Sequence, residues 1–252
     1  DVRSLTMAQE SVAEAIRPKQ WCNPFPKVRY TERPDTAAAQ LLEGSVILLL
    51  DNSPSAMILP TSIFDFLQES NDYYLPPFTG TYLRVVRHIV LWLTLFLTPL
   101  WFLATKNPAQ VPEWLQFALP AETGKLPILL QLLLTEFIID GLRMASMNTP
   151  DMLANSLSVV GGLILGDFAV SVGWLIPEVI LYMAFVAIAN FTQNSFELGY
   201  ALKFLRILLL FLVALFGGWG FLAGVVVILL LMVSNRTVNG GHSYLYPWIP
   251  FN

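Results

Sequence analysis

YLRVVRHIVLWLTLFLTPLWFLA, Tyr82 to Ala104, is the stretch that decides the fold. A bilayer core of about 30 Å needs about 20 mostly apolar residues in one helix, and this run supplies them, uncharged from Ile89 onward. Five further apolar segments come after it: Leu126 to Leu142, Leu153 to Ile176, Glu178 to Phe191, Leu202 to Phe216 and Trp219 to Val233. Only the first and third reach spanning length unaided, so the others are expected to tilt, pair as half-spans or shelter behind neighbours. Gly217, Gly218 and Gly220 suit a hairpin between the last two. Mean hydropathy of +0.60, with 55% hydrophobic and 13% charged residues, lies far outside soluble-domain composition.

The 80 residues before this region have ordinary polarity and hold ten of the eighteen acids. Ser4 to Ile16 has helical apolar spacing; Val28 to Thr31 reads as a strand; Pro34 and Asp35 open a helix that Gly44 closes. Ser45 to Leu50 and Ser55 to Leu59 flank Asp51-Asn52-Ser53-Pro54, which is hairpin chemistry. Helical spacing returns in Thr61 to Ser70, through Ile63, Phe64 and Leu67. The fold class expected is therefore mainly α: a polytopic helical membrane domain over 81–236, preceded by the end of a small cytosolic α/β domain over 1–80 and followed by a cytosolic tail over 237–252. Asp1 is not Met and no signal peptide opens the chain, so the reading is of a fragment missing its beginning.

Lys and Arg set orientation, since cytoplasmic loops retain them. With the amino arm inside, Arg84, Arg87, Arg143, Lys203, Arg206 and Arg236 fall on the cytoplasmic side, against Lys106 and Lys125 outside. Both termini are then cytosolic, and Asn107 to Gly124 is the main external loop. The basic residues form no stripe and the pI is 5.2, which excludes a nucleic-acid partner. Cys22 stands alone, so neither an internal disulfide nor a zinc site is expected. No nucleophile with a base, phosphate loop or metal box is present, and neither an enzyme nor a cofactor is expected.

Acids inside apolar segments are the functional lead. A carboxylate at bilayer depth costs on the order of 3 kcal/mol, so it should face protein or water, or carry a proton. Asp140 can pair locally with Arg143, three residues on. Glu136 and Asp167 have no such local partner, leaving a water-lined path, a cation site or an interhelix hydrogen bond. Ser158, Gly162 and Gly166 recur every four residues, with Gly161 beside them; this smooth face suits close helix packing or a pore lining. The candidate pore or cation path is thus Glu136, Ser158, Gly162, Gly166 and Asp167. Glu178 after Pro177 reads as a helix-start cap.

TERPD at Thr31 to Asp35, LLEGSVILLLDNSPSAMILP at Leu41 to Pro60 and DYY at Asp72 to Tyr74 resemble the spore germinant-receptor A-subunit family, GerA. RVVRH near the first span, SVVGGLILGDFAVSVG at Ser158 to Gly173, IANFT at Ile188 to Thr192 and SYLYPWIPF at Ser243 to Phe251 continue the resemblance in order, over nearly the whole chain. SPSAMILP, LRMASMNTP, PEVILY and YPWIPFN look most like a branch that is not a nutrient-receptor subunit. The resemblance implies an integral protein of the inner spore membrane acting in germination: a homo-oligomer, with a pentamer as the expected number, forming a channel for monovalent cations. For that branch it implies amplification of the germination response together with a small membrane partner protein. Two departures stand out. Asp167 replaces a Gln common in the family, which would alter cation preference or make conduction depend on pH. Gln193 and Asn194 replace a family Pro, removing a helix breaker. Two other readings remain open, a non-conducting scaffold for germination proteins and a secondary transporter with a midplane site.

Overall fold

A computed structural model describes residues 8–17, 19–20, 22–69, 74–122, 124–147, 159, 161–162, 164–193, 195–238 and 243–245. The described residues are mainly helical, with a small antiparallel sheet. It divides into two compact units: Asp1–Leu91 with Thr192–Phe204 and Val226–Asn252, and Trp92–Phe191 with Leu205–Val225.

In the first unit α1 (Ala8–Ile16) precedes β1 (Arg29–Thr31), α2 (Pro34–Leu42), β2 (Val46–Leu48), β3 (Ala56–Leu59) and α3 (Ile63–Leu67). The helix-start signal at Pro34 and the stop at Gly44 act as their chemistry suggests: Pro34 occupies the first turn, and Gly44 takes φ +96°. β2 and β3 form the expected hairpin, with Asn52 of the connection in the left-handed region at φ 59°. The sheet order is β1-β3-β2, with Ile58 facing both Arg29 and Ile47. Central β3, AMIL, is buried along its whole length, which explains a continuous apolar run instead of alternation. Ala13, Val28, Met57 and Leu59 form the core, so α1 packs against the sheet. α3 opens on a capping box: Asp65 N–H donates to Ser62 Oγ, and Ser62 N–H donates to Asp65 Oδ2 at 2.7 Å. Its buried residues are Ile63, Phe66 and Leu67, so Phe66 takes the core place the spacing gave to Phe64.

Among the described residues, two helices are long and apolar enough to cross a bilayer, α4 (Pro77–Lys106, mean hydropathy 1.7) and the later Phe196–Val233 (mean hydropathy 2.4). Between them lie α5 (Ile128–Met147) and α6 (Pro177–Phe191), and Phe196–Val233 is α7. α7 is broken at Gly217, whose φ of 59° and ψ of −132° no helix contains. The chain reverses there, because a Cβ on Gly224 would stand 2.5 Å from Leu209 Cδ2, two positions that a straight helix would hold about 20 Å apart. The glycine-rich hairpin expected near Gly217 is therefore present. Trp101, Phe102, Leu132, Ile176, Val179, Met183, Leu210 and Val213 form the core of the second unit. The loop before α5 is tied down as Trp101 Nε1 donates to Ala118 O at 2.8 Å and Tyr182 Oη donates to the same oxygen at 3.3 Å.

The third apolar segment is described only in part, and Ser158 lies outside the described residues. A turn of π-helix, Ile164–Phe168, continues helically through Ala169–Ser171 and stops at Gly173, φ 78°. Helix thus ends short of the expected Ile176. Leu175 and Ile176 turn inward instead, and Ile176 N–H donates to Gln131 Oε1 of α5 at 2.9 Å.

Residues 243–245 form a short helical turn in the first unit, where the Tyr244 ring is 1% exposed and lies 5.8 Å from that of Phe25. Burial raises the Tyr244 hydroxyl pKa well above the usual tyrosine range, helped by the charges of Asp65 and Glu197. That hydroxyl is buried without a hydrogen-bond partner among the described residues. Tyr244→Phe is expected to leave thermal stability unchanged or slightly higher, since it removes an unsatisfied polar atom and keeps the ring. Tyr244→Ala should cost about 3–5 kcal/mol in denaturation of the detergent-solubilised protein.

Candidate functional site

One side of α5 carries three polar residues that are nevertheless inside, beside the fully buried Leu132: Gln131, Thr135 and Glu136, at 0%, 8% and 4% exposure. Thr135 stands about one turn beyond Gln131 on the same stripe of the helix, and Glu136 is the next residue round from it. Gln131 spends its amide on the chain around it, donating to Leu126 O at 2.7 Å and accepting from Ile176. Thr135 donates to Gln131 O at 2.8 Å. Glu136 meets Arg206 of α7, which is 2% exposed. Arg206 Nε donates to Glu136 Oε1 at 2.7 Å, and Nη2 donates to the same oxygen. Arg206 Nη1 donates to the Thr94 carbonyl of α4 at 2.7 Å. One guanidinium thereby joins α4, α5 and α7.

The charge bias along the sequence includes Arg206 among the cations of one membrane side. Its burial removes it from that tally, because an enclosed, paired arginine carries no information about which loop faces the cytoplasm. Sequence reasoning missed it as a site residue. The available signal was its position in ALKFLRILLLF, Ala201 to Phe211, a charge inside an apolar run like those of Glu136 and Asp167. Of the alternatives open for Glu136, an interhelix hydrogen bond is the one this geometry supplies.

The other candidate residues lie elsewhere. Asp167 is exposed on the π turn, and no described residue bonds its carboxylate. Gly162 and Gly166 have no described atom within 4 Å of where a Cβ would stand. Gly161 is the close-packing glycine, since its Cβ would meet Leu142 Cδ2 of α5 at 2.6 Å. Among the described residues, Glu136 is enclosed, Gly162 and Asp167 are exposed, and Gly166 is half-buried. Arg143 stacks over the Phe191 ring at 5.2 Å, and the Glu178 carboxylate accepts from Ala121 N–H at 3.3 Å. Among the described residues, no group of three His, Cys, Asp or Glu is placed to hold a metal ion.

The sequence profile of the Bacillus/Clostridium GerA spore germination protein matches residues 1–252. The chain belongs to the GerA spore germination family. Stage V sporulation protein AF of Bacillus subtilis (strain 168) is 43% identical over 253 residues, covering 100% of this chain and 50% of that protein. The uncharacterized membrane protein YfkQ of the same organism is 31% identical over 232 residues, covering 91% of this chain and 45% of that protein. Spore germination protein KA, also from Bacillus subtilis (strain 168), is 29% identical over 231 residues, covering 90% and 42%. The chain spans about half the length of these relatives. No solved structure matches it at a significant level. The family resemblance read from the sequence blocks is borne out.

Removing one partner of a buried pair strands the other charge and costs roughly 3–5 kcal/mol, whereas replacing both by apolar residues is close to neutral. Glu136→Leu and Arg206→Leu should each lower the unfolding midpoint or the yield of folded protein, and the double variant should recover most of the loss. A double variant as unstable as the two losses added together would show that the two residues act independently.

Proposed function

We propose that this GerA-family chain is a polytopic subunit of an oligomeric channel in the inner spore membrane, releasing monovalent cations and amplifying the germination response with a small membrane partner. In this reading the membrane domain is 81–236, the arm 1–80 and the tail 237–252 are cytosolic, and the third apolar segment lies near the channel axis.

The observation that supports it is the open face at Asp167. A carboxylate at bilayer depth needs water or a protein partner, and Asp167 is exposed beside Phe168 and Val172, which are 64% and 49% exposed. Of the glycines one and five residues before it, Gly166 is half-buried and Gly162 exposed, and neither has a described atom within 4 Å of where a Cβ would stand. Identical segments around an axis would bring several Asp167 carboxylates to one water column, and a ring of like acids favours cations. π turns also recur at functional sites within helices. Glu136 differs because Arg206 neutralises it, so we assign the selectivity of the path to Asp167 and its shape to the Glu136 pair. Gly162, Gly166 and Ser158 supply the narrow lining.

Purified full-length protein in a planar bilayer, recorded with and without its small partner, should pass potassium or sodium. Asp167→Asn should lower cation-over-anion preference severalfold, by analogy with other acidic rings. Wild-type selectivity in Asp167→Asn would remove the role given to that residue. Absence of any conductance from an intact oligomer would favour the scaffold reading.

A further inference from the structure

We infer that Arg17, Gln20 and Asn23 form a strap that fastens both ends of the α7 hairpin to the arm, so that the two ends loosen together. The reversal at Gly217 returns the chain, and both ends of α7 belong to the first unit, as do the strap residues. At the first end, Arg17 Nη2 donates to Glu197 Oε1 at 2.9 Å and to Tyr30 Oη at 3.2 Å, beside the Ser195 hydroxyl that caps Leu198 N–H. At the second end, Asn23 Nδ2 donates to Leu231 O and Gln20 Nε2 to Ser234 O, each at 2.9 Å.

These carbonyls need outside donors, because the last four of a helix have no intrahelical partner. Backbone N–H groups of Ser234 and Asn235 already take Leu230 O and Met232 O, which leaves Leu231 O to Asn23. Gln20 is the hub. While its nitrogen donates to Ser234 O, its oxygen accepts from Arg236 N–H at 3.2 Å and from the buried Lys27 ammonium at 2.7 Å. Two donors facing its oxygen and an acceptor facing its nitrogen fix the amide in a single orientation.

Coupling follows from tether length. Arg17 and Gln20 are three residues apart, and so few residues span at most about 10 Å when fully extended. Losing one anchor frees the strap, which lowers the effective concentration of the remaining donors at the other end and weakens their bonds as well. Two unrelated caps would lack this property, and the difference is measurable.

Hydrogen exchange of the full chain in detergent, followed by mass spectrometry, distinguishes them. Arg17→Gln acts at the first end, Gln20→Ala and Asn23→Ala at the second. Each is expected to raise exchange severalfold over both 196–200 and 230–236, with Leu209 to Val213 unchanged. Variants that each loosen only their own end overturn the strap. If Gln20→Ala does not yield monodisperse protein, Gln20→Glu serves, since it keeps the acceptor for Lys27 and Arg236 while removing the donor to Ser234; it should give the same two-ended pattern. No conductance is read, so failure here leaves the channel proposal standing, and the reverse also holds.

Discussion

A carboxylate and a guanidinium closed off from water set how α4, α5 and α7 meet. Taking either charge out of solvent costs several kcal/mol, and the return comes only where geometry is good and the remaining donors are used. Arg206 meets both conditions by giving Nε and Nη2 to Glu136 and Nη1 to the Thr94 carbonyl. The planar fork admits few other arrangements. Sliding α5 or α7 by one turn would move the pair apart by about 5.4 Å and leave two bare charges, so the pair fixes register more than it adds stability. The core of Leu132, Met183, Leu210 and Val213 can then close around fixed helices.

Local features were legible because their causes are local. The α2 start at Pro34, the stop at Gly44, the β2-β3 hairpin and the break at Gly217 each follow from a residue's own backbone preference. The capping box of Ser62 and Asp65 is equally local, a side chain and a backbone N–H three residues apart. The Glu136–Arg206 contact was not legible from spacing, since seventy residues separate the two. It could have been anticipated only by treating every ionisable residue within an apolar run as needing a partner, Arg206 included.

The small-residue face shows a different limit. Period four identified Gly162 and Gly166 as a smooth surface, yet in one chain the glycine in tight contact is their neighbour Gly161, against Leu142. Beyond them the π turn at Ile164–Phe168 inserts an extra residue per turn and rotates the residues after it relative to a regular α-helix, so period four is not carried past Gly166. Sequence periodicity assumes constant winding, and Asp167 sits where winding changes.

α6 shows what the helical unit still requires of its surroundings. Its fifteen residues rise about 22 Å, less than a hydrocarbon core, so its ends must be covered by protein or reach polar ground early. The start answers this in part: Pro177 has no N–H to strand, and Glu178 takes the Ala121 N–H of the neighbouring loop. One face, Val179, Met183 and Val186, is buried in the unit's core, while Leu181, Phe185 and Ile188 are 53%, 56% and 63% exposed. An apolar face of that size on a helix too short to span is stable only against lipid or another apolar surface. The arrangement therefore places that apolar demand on the outside of the unit.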